Sequence, residues 1–269
     1  MIVDAHQHFW DPAVADYPWL TDALEPLRRR FGPDDLAPLL HSHGVAATVL
    51  IQARSSIDET RALLELAAAT PFVAGVVGWV DLTRDDVASV LGGLDGKLVG
   101  VRHQVEDEPD PRWLLRPDVQ RGLAAVDEAG LAFDLLVRVR ELPAALETAK
   151  RHADVRFVLD HVAKPPLRSG DLGAWADGVA ALAGLPNVTC KLSGLFTEAE
   201  QGADLAPTVE RALRWFGPER CIFGSDWPVC LLAADYGAAL DLVRRTVPER
   251  DRETVLAATA IRTYGLEVA

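Results

Sequence analysis

The sequence predicts an α/β protein built as a single (β/α)8 TIM barrel, with parallel strands and an active site at their C-terminal mouth. Three observations lead there. Short apolar, β-branched runs alternate from end to end with Ala/Leu/Glu/Arg-rich segments of helical period, the rhythm of βαβ units. Several of the apolar runs lack polar alternation, as expected of parallel strands covered on both faces. About eight such units in 269 residues is the size of a barrel of this kind. A doubly wound open sheet is the competing arrangement for the same alternation.

The strands are expected at 2–9, 47–53, 73–80, 98–105, 131–137, 156–162, 187–193 and 221–225. Helices of good period lie between them, at 57–69, 118–129, 142–151, 172–183 and 206–216. Ser56 ahead of Ile57, with Glu59 three residues on, is a helix-start signal. Ala129-Gly130-Leu131 ends a helix on glycine and opens the next strand. No linker, low-complexity tract or internal repeat divides the chain, so residues 1–269 are expected to form one domain. Arg28-Arg29-Arg30, the one basic run, is expected on a solvated face.

Composition excludes several functions. With 27 basic and 40 acidic side chains the net charge is −13, which opposes binding to nucleic acid or to an anionic membrane. A hydrophobic fraction of 49% suffices for a large core and rules out a disordered chain. No apolar run approaches the ~18 residues of a spanning helix. The first residues, Met1-Ile2-Val3-Asp4-Ala5-His6, lack the basic start and apolar core of a secretion signal. Cys190, Cys221 and Cys230 are an odd set without metal-finger spacing, consistent with a reducing compartment. A cytoplasmic location is expected.

The chemistry collects at strand ends. In Asp4-Ala5-His6-Gln7-His8, the two imidazoles sit at i, i+2 on one strand and so face the same way, placed to grip one divalent cation. Arg102 and His103 follow Leu98-Val99-Gly100-Val101, Asp160 and His161 follow Phe157-Val158-Leu159, and Asp226 follows Cys221-Ile222-Phe223-Gly224-Ser225. Strand parity lets only one of each adjacent pair face inward. Lys191, inside an apolar strand, needs an ion pair or an anionic or carbonyl partner, and Lys164 lies just past the sixth strand. The segment 9–27 is long and aromatic, and Trp10, Trp19, Trp113 and Trp227 are either stacking surfaces for a sugar or core packing.

Asp4-Ala5-His6-Gln7-His8-Phe9-Trp10, Leu159-Asp160-His161-Val162-Ala163-Lys164-Pro165 and Phe223-Gly224-Ser225-Asp226-Trp227-Pro228 together resemble the amidohydrolase superfamily, in particular its sugar-lactonase branch. The motifs fall in the right order over residues 4–228. The resemblance implies that His6, His8 and Asp226 lie at the reaction centre with His161, the sixth-strand histidine. His6, His8 and Asp226 are then candidate ligands of one divalent metal, zinc first, with a metal-free lactonase as the alternative.

Two departures from the binuclear pattern limit the metal count. Lys97 precedes its strand where a bridging lysine would end it, and the strand at 131–137 carries no histidine. The function so implied is opening of a sugar-acid lactone. Asp226 would serve as general base and acid, His161 would act beside it, and Arg102, His103, Lys164, Lys191, Trp10, Trp19 and Trp227 would contact substrate. The expected partner is that small molecule, with self-association of the chain allowed. A decarboxylase or hydrolase of an aromatic-pathway acid, or a non-catalytic small-molecule binder, are the other functions the same barrel could carry.

Overall fold

The computed structural model describes residues 1–268. Eight parallel strands run in sequential order: β1 (Val3–Gln7), β2 (Ala47–Ile51), β3 (Val73–Gly78), β4 (Leu98–His103), β5 (Ala132–Leu135), β6 (Arg156–Leu159), β7 (Val188–Leu192) and β8 (Cys221–Phe223). Two bonds return β8 to β1: Asp226 N–H donates to the His6 carbonyl at 2.8 Å, and His8 N–H donates to the Trp227 carbonyl at 2.8 Å. The ring this makes is a barrel, and the open-sheet alternative is excluded.

The outer layer consists of α1 (Pro33–His43), α2 (Ile57–Ala69), α3 (Val87–Gly92), α4 (Pro117–Glu128), α5 (Leu142–Arg151), α6 (Gly173–Ala183), α7 (Ala206–Phe216) and α8 (Tyr236–Thr246). The cap of α2 departs from a reciprocal box. Ser56 Oγ accepts from Glu59 N–H at 3.3 Å, but the Glu59 carboxylate accepts instead from the N–H groups of Ala53 and Arg54, both at 3.0 Å. That carboxylate therefore pins the loop after β2 to its helix. The arginine run behaves as a solvated face, with Arg28 paired to Asp22 and Arg29 to Asp35.

Apolar side chains form two bodies. One fills the space between strands and helices. The other, with Val3, Ala5, Val49, Val77, Val158 and Ile222, fills the lower barrel. A last helix, α9 (Thr259–Tyr264), closes the barrel from below, and the Tyr264 hydroxyl reaches Asp134 on β5 at 2.8 Å. The register of β1 against β2 shifts between Asp4 and Gln7. Such a bulge re-aims side chains, so that Ala5 packs in the inner cluster while His6 and His8 also reach inward above it.

Candidate active site

The strands end earlier than the sequence suggests, and the difference builds the site. The sixth run is expected extended to Val162, but β6 stops at Leu159. His161, Val162, Ala163 and Lys164 then follow with φ of 54, 53, 56 and 44°, four consecutive residues in the left-handed region. Each such non-glycine residue costs of order 1–3 kcal/mol and persists only where its surroundings over-determine it. Here Trp175 Nε1 holds the Val162 carbonyl at 2.8 Å, and His161 Nδ1 lies 2.9 Å from Ser193 Oγ. The left-handed turn overturns the parity expectation. Asp160 points down into the barrel and His161 points across its mouth, so both members of the pair serve the interior. Asp226 is also left-handed, at φ 59°.

Four candidate groups converge at the mouth. His6 Nε2 and His8 Nε2 are 3.1 Å apart, each lies 3.6 Å from Asp226 Oδ1, and His161 Nε2 is 4.0 Å from the same oxygen. His8 Nδ1 is 2.9 Å from the Ile51 carbonyl, which can only accept, so Nδ1 carries the proton and Nε2 presents its lone pair to the cluster. Burial pulls the pKa values of His6, His8 and His161 below the ordinary imidazole value. Burial would raise the Asp226 carboxyl, but His161, His8 and His6 more than offset it and hold the group well below its ordinary value. Three neutral imidazoles thus surround one carboxylate.

Beneath them lies a buried ionic layer. Lys191 Nζ reaches Asp134 Oδ2 at 2.7 Å, Asp160 Oδ1 at 2.9 Å and His6 Nδ1 at 3.2 Å. Arg102 donates to Asp160 Oδ2 at 3.0 Å and to the Gln52 carbonyl at 2.6 Å, with Nη1 3.3 Å from His6 Nε2. Burial would raise the Asp160 carboxyl, but Lys191, His6 and Arg102 hold it well below the ordinary value. Lys191 therefore acts from below, through His6, and does not line the cavity.

The cavity above measures about 190 Å³ and is lined by His8, Arg102, Glu106, His161, Lys164 and Asp226, with Trp10 and Trp19 on one wall. Besides Lys191, two residues expected at the substrate lie elsewhere. His103 points to the outer side of β4, where it stacks on Trp113 at 4.0 Å and accepts from Trp79 Nε1 at 3.0 Å, so Arg102 is the inward member of that pair. Trp227 is buried edge-on against Phe9 and Phe31, which assigns it to packing. Trp113 is likewise buried. Lys97 stays at the far end of its strand, donating to the carbonyls of Ala67 and Val73.

A match to the family described as amidohydrolase spans residues 3–266. The chain belongs to this amidohydrolase family. It is 46% identical to an L-fucono-1,5-lactonase of Burkholderia ambifaria over 88% of this chain and 85% of the relative. An L-fucono-1,5-lactonase of Burkholderia multivorans is 41% identical over 98% of this chain and 96% of its own. An amidohydrolase from Burkholderia multivorans solved with bound Zn superimposes with a TM-score of 0.95 at 41% identity, covering 99% of this chain and all of that one.

Within this amidohydrolase several site residues carry no motif signal. Glu106, Gln52 and Ser193 look in sequence like ordinary loop and strand-end residues. Asp134 was discoverable: one acid inside the apolar run at 131–137 and one lysine inside another are natural partners. Gly194, at φ 63°, packs so tightly that a Cβ there would sit 2.3 Å from His161 Nδ1. Gly194→Ala is therefore expected to displace the His161 ring and break its Ser193 contact. The turnover number should fall at least about 10-fold, since misplacing a reacting group by ~1 Å can cost 10²-fold. Steady-state kinetics beside a thermal melt separates this from unfolding.

Proposed function

We propose that this amidohydrolase opens a sugar-acid lactone to its hydroxy acid, with L-fucono-1,5-lactone as the leading substrate. The observation that carries this reading is the convergence of His6, His8 and His161 on the ionised Asp226. The lactonase relatives at 46% and 41% identity support it independently. The cavity's charge balance points the same way. Its two cations are already neutralised, Arg102 by Asp160 and Lys164 by Glu106. A carboxylated aromatic substrate would need an unpaired cation, whereas a neutral lactone does not.

Asp226 accepts the proton of the attacking water, whose oxygen bonds to the lactone carbonyl carbon, and then passes that proton to the ring oxygen as the acyl C–O bond breaks. Arg102 and the neutral His161 stabilise the carbonyl oxygen as it takes on charge. The leaving alkoxide stays tethered, so one product forms. Trp10 and Trp19, fixed by bonds from their indoles to the carbonyls of Leu27 and Ala53 at 3.0 and 2.8 Å, form a rigid wall for the ring.

The donor set also fits a metal. Ligand atoms bonded at about 2.0–2.1 Å in a tetrahedral zinc site stand about 3.3 Å apart, and His6 Nε2, His8 Nε2 and Asp226 Oδ1 are separated by 3.1, 3.6 and 3.6 Å. An ion held there would acidify a bound water toward a pKa near ~7. Protein purified without a metal-affinity tag should contain about one equivalent of divalent metal by elemental analysis, and His8→Ala should lower that content. Metal-free protein of full activity would assign His8 to the substrate and leave His6 as a buried support of the cluster.

Activity should fall on the acid side only. The imidazoles are functional when neutral and their pKa values lie below 6.5. Rates should therefore hold flat from neutral pH down to about 6.5 and decline below it as the rings protonate. A decline that begins above pH 7 in a kcat/KM profile would contradict these assignments. The function itself is tested by a pH-indicator screen of 1,4- and 1,5-aldonolactones, in which turnover of a 1,5-lactone is expected. We place the enzyme in the cytoplasm, a reading supported by three buried free cysteines.

A further inference from the structure

We propose that Glu106 and Lys164 form a paired reader of neighbouring sugar hydroxyls and so determine which lactones this site prefers. The proposal rests on the lactonase reading. Both residues line the same cavity as Asp226 and His161. Lys164 arrives there by the left-handed turn: its N–H donates to the His161 carbonyl at 2.8 Å, and its Nζ meets Glu106 Oε1. Glu106 enters from the short helical turn Val105–Asp107 that follows β4, and Arg138 Nε lies 2.9 Å from its other oxygen. Arg138 in turn holds Glu198 with contacts of 3.1 and 3.2 Å. The pair is thus braced from β4, β5, β6 and the loop after β7.

That bracing leaves bonding capacity unused. A carboxylate offers about four lone-pair directions and an ammonium three donors. Arg138 faces the buried Oε2 and Lys164 takes one direction on Oε1, which leaves a lone pair on Oε1 and two Lys164 donors. Burial would raise the Glu106 carboxyl, but Lys164 and Arg138 hold it below its ordinary value, so it stays an acceptor. An acceptor beside a donor, with no net charge, matches two adjacent hydroxyls: one donates to Glu106 while its neighbour accepts from Lys164. The arrangement selects a neutral, hydroxylated ring over an anionic or bare one. Trp10 and Trp19, packed edge to face, line the same cavity and offer apolar surface to the C–H groups of a sugar ring.

The test compares L-fucono-1,5-lactone with δ-valerolactone, the same six-membered ring ester without hydroxyls. In the wild type the KM of the sugar lactone should be about 10–100-fold lower. In Glu106→Gln and Lys164→Met the ratio of kcat/KM for the two substrates should fall by about 10–100-fold, mainly through the sugar lactone's KM. The double variant should lose little more than either single one. Equal wild-type KM values, or an unchanged ratio with both rates falling together, overturn the reader and leave a structural brace. A wild type that opens neither lactone overturns the lactonase reading beneath it.

Discussion

Asp226→Asn is expected to lower kcat by about 10²–10⁴-fold, the range for loss of a positioned acid–base group. Asparagine keeps the size of the side chain and accepts the left-handed backbone required at φ 59°, a region that Asn and Asp tolerate better than other residues. The main-chain bond from residue 226 to His6 is unaffected. The variant should therefore match the wild type in circular dichroism and melting temperature while losing turnover. A near-wild-type rate would transfer the role of base to His161.

The second large effect is on stability. Lys191 is fully buried, and Lys191→Met leaves Asp134 and Asp160 facing each other with Arg102 as the remaining cation. Removing one partner of a buried ionic group typically costs about 3–5 kcal/mol, because the remaining charge has lost its compensation. For a chain of this size that corresponds to a melting temperature lower by roughly 6–20 °C. Acidification should narrow the deficit, since protonating either carboxyl removes the uncompensated charge. Urea titrations at pH 5 and pH 7 would show this. A variant as stable as the wild type at pH 7 would mean that the layer below His6 does not depend on the lysine.

Much of this architecture is visible in the sequence because it repeats. The helices at 57–69, 142–151 and 206–216 are found with the same ends in the structure, since apolar spacing and strong helix formers agree over their whole length. Strand starts are legible for the same reason and strand ends are not. The run at 221–225 consists of apolar and small residues to its end, and that at 156–162 returns to apolar Val162 after Asp160 and His161, while the backbone leaves the extended region at Asp160 and before Asp226.

Strand parity therefore holds only where the backbone remains extended. It allows one of Arg102 and His103 inward, because β4 continues through both. It fails at Asp160 and His161, because a left-handed turn begins between them. Local sequence could not announce that turn: Val162 and Ala163 are ordinary strand residues, and the conformation is imposed by Trp175, Ser193 and Gly194 from elsewhere in the chain. Lys164 and Glu106 meet for the same long-range reason, 58 residues apart. Trp227 misled in the opposite sense. Its place beside Asp226 made it a candidate for substrate contact, yet its neighbours Phe9 and Phe31 take it into the core.

The most direct test of the account is proton release from L-fucono-1,5-lactone at pH 7, followed with purified wild-type protein against spontaneous ring opening and beside carbon dioxide release from a dihydroxybenzoate. The account predicts rapid lactone opening that depends on Asp226 and no decarboxylation. Lactone opening at the spontaneous rate, with carbon dioxide released from the aromatic acid, would contradict it.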